Sequence, residues 1–476
     1  MTTTRTFKSL LSLALLGIGV STASAQTPTL PAASARQTPP PGGPPKAFNV
    51  PAHETYTLPN GMRVTLVPYG NIPKVDISLS VRSGNINDPR GMLGVADITG
   101  EMLKEGTKTL SAKALAETIA GMGSSLDLRV GEDETAVDVD VLSEYETAAI
   151  RLLADFAMHP LLPESELPRL RANLMRQVVV SKTRPGQIAL ARFRKLMYGD
   201  HPYGDILPTE DSLNKMTIED VRKFYAENYG AERAHLYVAG KFNAANAKKA
   251  IAESFSGWSK GTPPPVNPPK PKTQRLLDVT DRPNAPQSTI YVGLPVADAT
   301  SPDNIPLLVT NSLLGGSFGS RITSNIREQK GYTYSPSSQV SRRYHDAYWA
   351  EIADVTTAST GPALKEIFGE VDRLQKEPPS AAELKGIQSY LSGVFVIQNS
   401  TRQALIGQLR YVDLQGLGEE YLKTFVQKVN AVTPDVVQHM TAKYINPDQM
   451  TIVVVGDKSK ITEQLAPFAA APGASK

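Results

Sequence analysis

The chain has 476 residues, 41% hydrophobic and 20% charged, with 35 Gly and 37 Pro, which is globular composition for about two or three domains and excludes a disordered or fibrous chain. The 50 Lys and Arg against 47 Asp and Glu leave a net charge of +3, too balanced for a nucleic-acid binder. Zero Cys excludes disulfides, thiolate zinc sites, iron–sulfur clusters and cysteine nucleophiles.

Residues 1–25 read as a secretory signal peptide. Arg5 and Lys8 supply the positive start, residues 10–20 (LLSLALLGIGV) a short apolar stretch, and Ala23-Ser24-Ala25 a cleavage site. The stretch is too short for a spanning helix, which needs about 20 apolar residues, and no later segment has 18 uninterrupted apolar residues. A periplasmic location is expected, with secretion as the alternative and no membrane span in the mature chain. Residues 26–53 form a Pro-rich tether, expected to be disordered or extended.

Folded sequence is expected from Glu54. Residues 55–67 read as strand, Pro59-Asn60-Gly61 turn and strand. Residues 75–81 alternate as a strand, 94–104 and 112–122 read as helices, and 124–130 and 135–142 alternate again. Helices are predicted over 144–157, 164–182 and 217–229, then a strand over 234–239. Residues 259–275 contain GTPPPVNPPKPK, which neither sheet nor helix tolerates, and read as a linker between domains 54–258 and 276–470. Beyond it come strand 288–294, helices 305–314 and 320–329, strand 348–355 and helix 361–376.

The halves end alike. Residues 229–240 (YGAERAHLYVAG) parallel residues 444–456 (YINPDQMTIVVVG), each after a helix opening with Thr, at Thr217 and Thr433. Two duplicated α+β domains, each a mostly antiparallel sheet with helices packed on it, are the simplest account.

Four segments resemble the pitrilysin/insulinase-type peptidases, which include the mitochondrial processing peptidase. They are Leu58 to Val64 (LPNGMRV), residues 91–107 (GMLGVADITGEMLKEGT), His201-Pro202-Tyr203-Gly204, and residues 315–334 (GGSFGSRITSNIREQKGYTY). The resemblance runs from about 54 to 460 and implies that the two domains face each other as one half of a clamshell.

Active members of that family bind zinc through H-x-x-E-H on a helix. Histidines at i and i+4 share one face and reach one ion, and the Glu serves as general base. Asp97, Gly100 and Glu101 stand at these three positions, so both imidazoles and the base are missing. The downstream segment 167–187, where a further Glu is expected, holds no acid. The six His include no pair at i, i+3 or i, i+4. No metal or other cofactor is therefore expected in this chain. The competing reading lets Asp97 and Glu101 share a hard cation such as Ca²⁺ or Mg²⁺. His201, in the H-P-Y-G setting, is expected to be a structural loop residue.

Arg327 and Tyr334 match the family's R-x6-Y pair. The resemblance implies that this pair holds the substrate backbone and donates to the tetrahedral oxyanion, in trans with a zinc bound by the partner. Read without the family, Arg327 is a helix C-terminal cation and Tyr334 a core tyrosine with a wet tip. The Gly-rich segment Gly315, Gly316, Ser317, Phe318 and Gly319 lacks the Lys of a phosphate loop and is expected to be a flexible substrate-binding loop. The chain thus reads as the non-zinc subunit of an exported zinc metallopeptidase, inactive alone. Its partner is a subunit of the same family bearing H-x-x-E-H and Zn²⁺, and its substrates are peptides or unfolded polypeptides added to a sheet edge. The alternative is a non-enzymatic peptide-binding or scaffold protein of the same fold.

Overall fold

The computed structural model describes residues 48–469. The signal peptide and most of the tether lie outside the described residues. The first sheet comprises β1 (Glu54–Thr57), β2 (Arg63–Pro68), β3 (Lys74–Val81), β4 (Asp127–Val130), β5 (Thr135–Leu142) and β6 (Ala234–Gly240). Its order is β1-β2-β6-β3-β5-β4, antiparallel except where β2 runs parallel to β6. The second comprises β7 (Leu276–Asp281), β8 (Gln287–Pro295), β9 (Ser337–Arg343), β10 (Asp346–Thr356) and β11 (Thr451–Gly456), ordered β7-β11-β8-β10-β9. Only β7 and β11 run parallel there. Without the extra hairpin strand β1, the two orders coincide strand for strand, so the duplication read from the chain ends extends through both sheets.

Local chemistry sets the element boundaries. Gly61 sits at φ +95° in the β1–β2 turn, and the Asn60 amide ties that turn to Phe255 O at 2.8 Å. Both threonines seen in the repeat are N-caps, Thr217 Oγ1 accepting from Asp220 N at 3.3 Å and Thr433 Oγ1 from Val436 N at 3.4 Å. Residues 259–275 carry neither helix nor strand. Two predicted helices differ in kind. The helix Asn304–Asn311 widens into a π-helical turn over Ser312–Gly316, and Arg321–Thr323 into another over Ser324–Gln329. Such wide turns are invisible to 3.6-residue periodicity and cluster at functional sites.

The halves interlock through two equivalent helices. Pro185–Tyr198, from the first half, lays Ala189, Phe193 and Met197 on Tyr291, Tyr348 and Val453 of the second sheet. The Phe193 ring meets Tyr291 at 4.7 Å and Tyr348 at 5.3 Å between centroids. In return, Arg402–Leu414 lays Leu405, Ile406 and Leu409 on Val67, Tyr237 and Ala239 of the first sheet. Each sheet therefore has its own helices on one face and the other half's helix on the second. That is why β6 and β11 are buried along their whole length rather than alternately.

Charge reinforces the exchange. The β4–β5 turn carries Glu132, Asp133 and Glu134. Glu132 pairs with Arg194 of the first half and Arg343 of the second. Asp133 accepts from the Tyr203 hydroxyl and, at 3.1 Å, from Tyr344 N, while Glu134 pairs with Arg410. Burial raises the Glu132 carboxyl, but the two guanidiniums outweigh it and hold it below its ordinary value. The Arg194 and Arg343 side chains are only 3% and 7% exposed. Glu132→Ala strands both charges and is expected to cost about 3–5 kcal/mol, read as a lowered midpoint in urea unfolding. A change under about 0.5 kcal/mol would mean the turn does not fasten the halves.

Candidate functional site

The helix Val95–Leu103 carries the three family metal positions. Its start is set by Gly94 at φ +98° and by Asp88, which accepts from Gly94 N at 2.7 Å and Ala96 N at 2.8 Å. Burial pushes the Asp88 carboxyl up to about 7, against the pull of those two amides. Asp97 accepts from Asn85 Nδ2 at 2.8 Å. Burial pushes its carboxyl up to about 6, opposed by Asn85 and aided by Glu101. Glu101 turns to Lys104 at 2.6 Å.

Gly100 is closed by packing. A Cβ there would stand 2.4 Å from Val130 Cγ2 and 3.0 Å from Leu128 Cδ2, both on the edge strand β4. The helix Leu167–Thr183 presents Asn173, Leu174 and Gln177 to the same small cavity as Asp97 and Glu101. Zinc catalysis requires three N, O or S ligands and an open position. Two carboxylates engaged elsewhere, two amides and a filled base position do not fit that donor set. Among the described residues no cluster of three or more His, Asp or Glu is arranged to hold a metal ion.

The second constellation lies ahead of β9. The Arg327 guanidinium stands 4.4 Å from the Phe318 ring and 4.9 Å from the Tyr334 ring, in contact with both. Phe318 and Tyr334 are 70% and 79% exposed, so Tyr334 is not a core tyrosine. Glu328 is the nearest carboxylate to Arg327, at 3.2 Å. The ring contacts position the guanidinium, and with Nε facing Glu328 its terminal N–H groups remain to donate. The family resemblance put Arg327 and Tyr334 together, while the contact of Phe318 with Arg327 follows only from the fold.

The Gly-rich segment, expected to be a loop, begins inside a π-helical turn. Gly315 is buried in the π-helical turn, where a Cβ would meet Glu351 Oε2 at 2.5 Å and Ser338 Oγ at 2.6 Å. A Cβ on Gly316 would meet the Asn311 amide at 2.3 Å. Gly315 permits close packing against β9 and β10 and Gly316 against Asn311, while Gly316 and Ser317 are half-buried and Phe318 and Gly319 exposed. His201 is part of the scaffold. Its Nδ1 accepts from Tyr203 N at 3.2 Å, which leaves Nε2 to donate to Asn267 O at 2.9 Å in the linker. No hydrogen bond, ion pair or ring contact joins Asp97 or Glu101 to Arg327 or Tyr334 among the described residues.

Two sheets with exchanged helices, a helix at the metal position without its ligands and a half-buried Arg327 beside an exposed Tyr334 define a peptidase-like fold of the pitrilysin type. Sequence profiles agree: that of the insulinase family, peptidase family M16, matches residues 64–209, and that of the peptidase M16 inactive domain matches residues 215–391. The chain belongs to the M16 peptidase family. An uncharacterized zinc protease of Bacillus subtilis, YmxG, is 25% identical over 395 residues, spanning 83% of this chain and 96% of its own. A non-peptidase homolog from Helicobacter pylori is 21% identical over 398 residues, spanning 82% of this chain and 90% of its own. The crystal structure of a peptidase M16 inactive domain from Pseudomonas fluorescens superposes with a TM-score of 0.79 at 24% identity, over 85% of this chain and 98% of that one. A Helicobacter pylori protease structure gives 0.80 at 20% identity, over 86% and 100%.

Two measurements test this description. Restoring the motif with Asp97→His, Gly100→Glu and Glu101→His together is expected to yield no stoichiometric zinc in the purified protein. The side chain introduced at Gly100 would overpack β4 at a cost of about 1–3 kcal/mol. One tightly held zinc per chain in a variant of unchanged stability would show the base position to be open. The second concerns Glu351, whose carboxyl oxygens are buried without a partner and whose pKa burial pushes well above the ordinary 4.5. The folded state then holds the proton more tightly than the unfolded state. This contribution is fully present below about pH 4.5 and is lost as pH rises toward the folded pKa. Glu351→Gln is expected to flatten that loss and raise the melting temperature at pH 8 relative to wild type, with little gain at pH 4.

Proposed function

We propose that this protein is the non-zinc subunit of an exported zinc metallopeptidase. Its partner is a chain of the same family carrying H-x-x-E-H, and its own contribution is Arg327 and Tyr334. The carrying observation is the half-buried Arg327 guanidinium set against the exposed Phe318 and Tyr334 rings, on a chain whose metal helix lacks a donor set. Attack on a peptide carbonyl builds negative charge on oxygen. The guanidinium edge and the Tyr334 hydroxyl each donate to that oxygen once the closing partner excludes water. β9 is one of the two edge strands of the second sheet and begins three residues after Tyr334. An extended peptide pairing with that edge would pass beside the pair. The N-terminal signal supports export, to the periplasm or beyond.

Mixed with the partner, the chain is expected to restore chelator-sensitive cleavage of a quenched fluorescent peptide. It is expected to be inactive alone. Arg327→Ala and Tyr334→Phe are each expected to lower turnover about 10²–10³-fold while the complex still co-elutes in size-exclusion chromatography. Full activity in both variants sinks the catalytic assignment. The second reading, a peptide-binding or scaffold protein, is favoured by the Helicobacter pylori relative described as a non-peptidase homolog. Peptide binding without turnover in any mixture would select it.

A further inference from the structure

A second cluster of cations lies where the two halves meet, away from Arg327. Arg63, Arg82, Arg233 and Arg410 line a cavity of about 110 Å³ between the end of β3, the start of β6 and the helix Arg402–Leu414. Three carboxylates share its walls. Asp413 is engaged by Arg63 and, at 3.0 Å, by His235 Nδ1. Glu134 is engaged by Arg410 and, at 2.6 Å, by the Ser80 hydroxyl. Glu232 reaches Lys260 at 3.9 Å.

Arg82 and Arg233 are left over. Among the described residues neither has a carboxylate within 4.0 Å, the ion-pair limit. Arg233 spends its donors on neutral acceptors: Thr262 O at 2.8 Å, Thr262 Oγ1 at 3.1 Å, and Arg82 O and Asn228 Oδ1 at 3.2 Å. The Arg82 guanidinium makes no hydrogen bond among the described residues and rests on the Tyr344 ring at 4.3 Å. The Nε atoms of Arg82 and Arg410 are both buried without an acceptor. Burial and the facing Arg82 charge together hold Arg233 below its ordinary pKa. Two guanidiniums set against each other without an acid are an electrostatic cost that a bound anion removes. Four guanidiniums against three carboxylates leave the walls positive even though burial lowers the His235 pKa and favours its neutral form.

We propose that this cavity binds a small tetrahedral oxyanion of the phosphate class, with Arg82 as the principal donor and Arg233 and Arg410 completing the cradle. The volume is well below the roughly 300–1,000 Å³ of sites for drug-sized ligands, so it admits free phosphate and excludes a nucleotide. Planar guanidinium forks match such an anion with paired N–H donors. Arg82 belongs to the first half and Arg410 to the second, so the anion fastens the halves together. The site is independent of the peptidase reading, and its test needs no activity.

The experiment measures the melting temperature of the purified chain, with ³¹P NMR line broadening as the direct binding readout. The probe is inorganic phosphate titrated at pH 7.5 and constant ionic strength, with sodium chloride as balance. A saturable rise in melting temperature and line broadening are expected from phosphate. Acetate is the carboxylate arm, and an effect equal to that of phosphate overturns the assignment to a tetrahedral oxyanion. Arg82→Gln is expected to weaken phosphate binding at least tenfold. Arg82→Lys, which keeps the charge and loses the fork, is expected to weaken it less, and it serves if the Gln variant does not fold. Lys113→Gln, on a distant exposed helix, is expected to bind as wild type. Absence of broadening in the wild type, or undiminished affinity in both Arg82 variants, overturns the proposal.

Discussion

Each half of this protein covers the sheet of the other. A sheet with one bare apolar face must bury it, and here the cover for each second face comes from across the duplication. Phe193 and Met197 go one way, and Leu405, Ile406 and Leu409 go the other. The consequence is a single structural body, in which β6 and β11 have no wet face and neither sheet is covered without the other half. The acidic turn Glu132–Glu134 works within this frame. It gathers arginines from both halves, so the ion pairs lock an arrangement that apolar burial has already imposed. Because the Arg194 and Arg343 side chains are buried, losing their shared carboxylate costs far more than losing a surface pair.

The same frame explains what became of the metal site. The helix Val95–Leu103 is intact, capped by Asp88 and packed under β4. What changed is the chemistry along it. Asp97 has a local amide partner, Glu101 a local lysine, and the place of the base is held by Val130 and Leu128 against Gly100. The loss is therefore built into the packing, beyond a change of three side chains. In the second half the corresponding layer has gone the other way. Its π-helical turns bury Gly315 and lead to an exposed Phe318 and a half-buried Arg327, leaving a cation in contact with two exposed rings. Glu351 beneath Gly315 is a buried carboxyl without a partner, a destabilising feature of the kind that native proteins concentrate near functional surfaces.

Much of this was legible in the residues themselves. Alternation and turn chemistry place the strands of the first half to within a few residues, because a half-buried strand writes its exposure into its side chains. The Thr caps before β6 and β11 betray the duplication, because capping is a local hydrogen bond. The edge strand β9 and the helices Pro185–Tyr198 and Arg402–Leu414 were not drawn from the sequence. The faces of these helices are defined by the opposite half, far away in the chain, and no local period reports that.

By itself, then, the sequence determined the two-fold repeat and the α+β class, and through its family resemblance the missing zinc ligands and the pairing of Arg327 with Tyr334, since caps, alternation and motifs are all written in short stretches of chain. The tertiary structure alone decided that Gly315 is a packing residue, that Phe318 closes over Arg327, that Gly100 has no room for a base, and that Arg82 faces Arg233 without an acid. These depend on which atoms the interlocked halves bring within a few ångströms of each other, and that proximity is set by long-range burial rather than by neighbours along the chain.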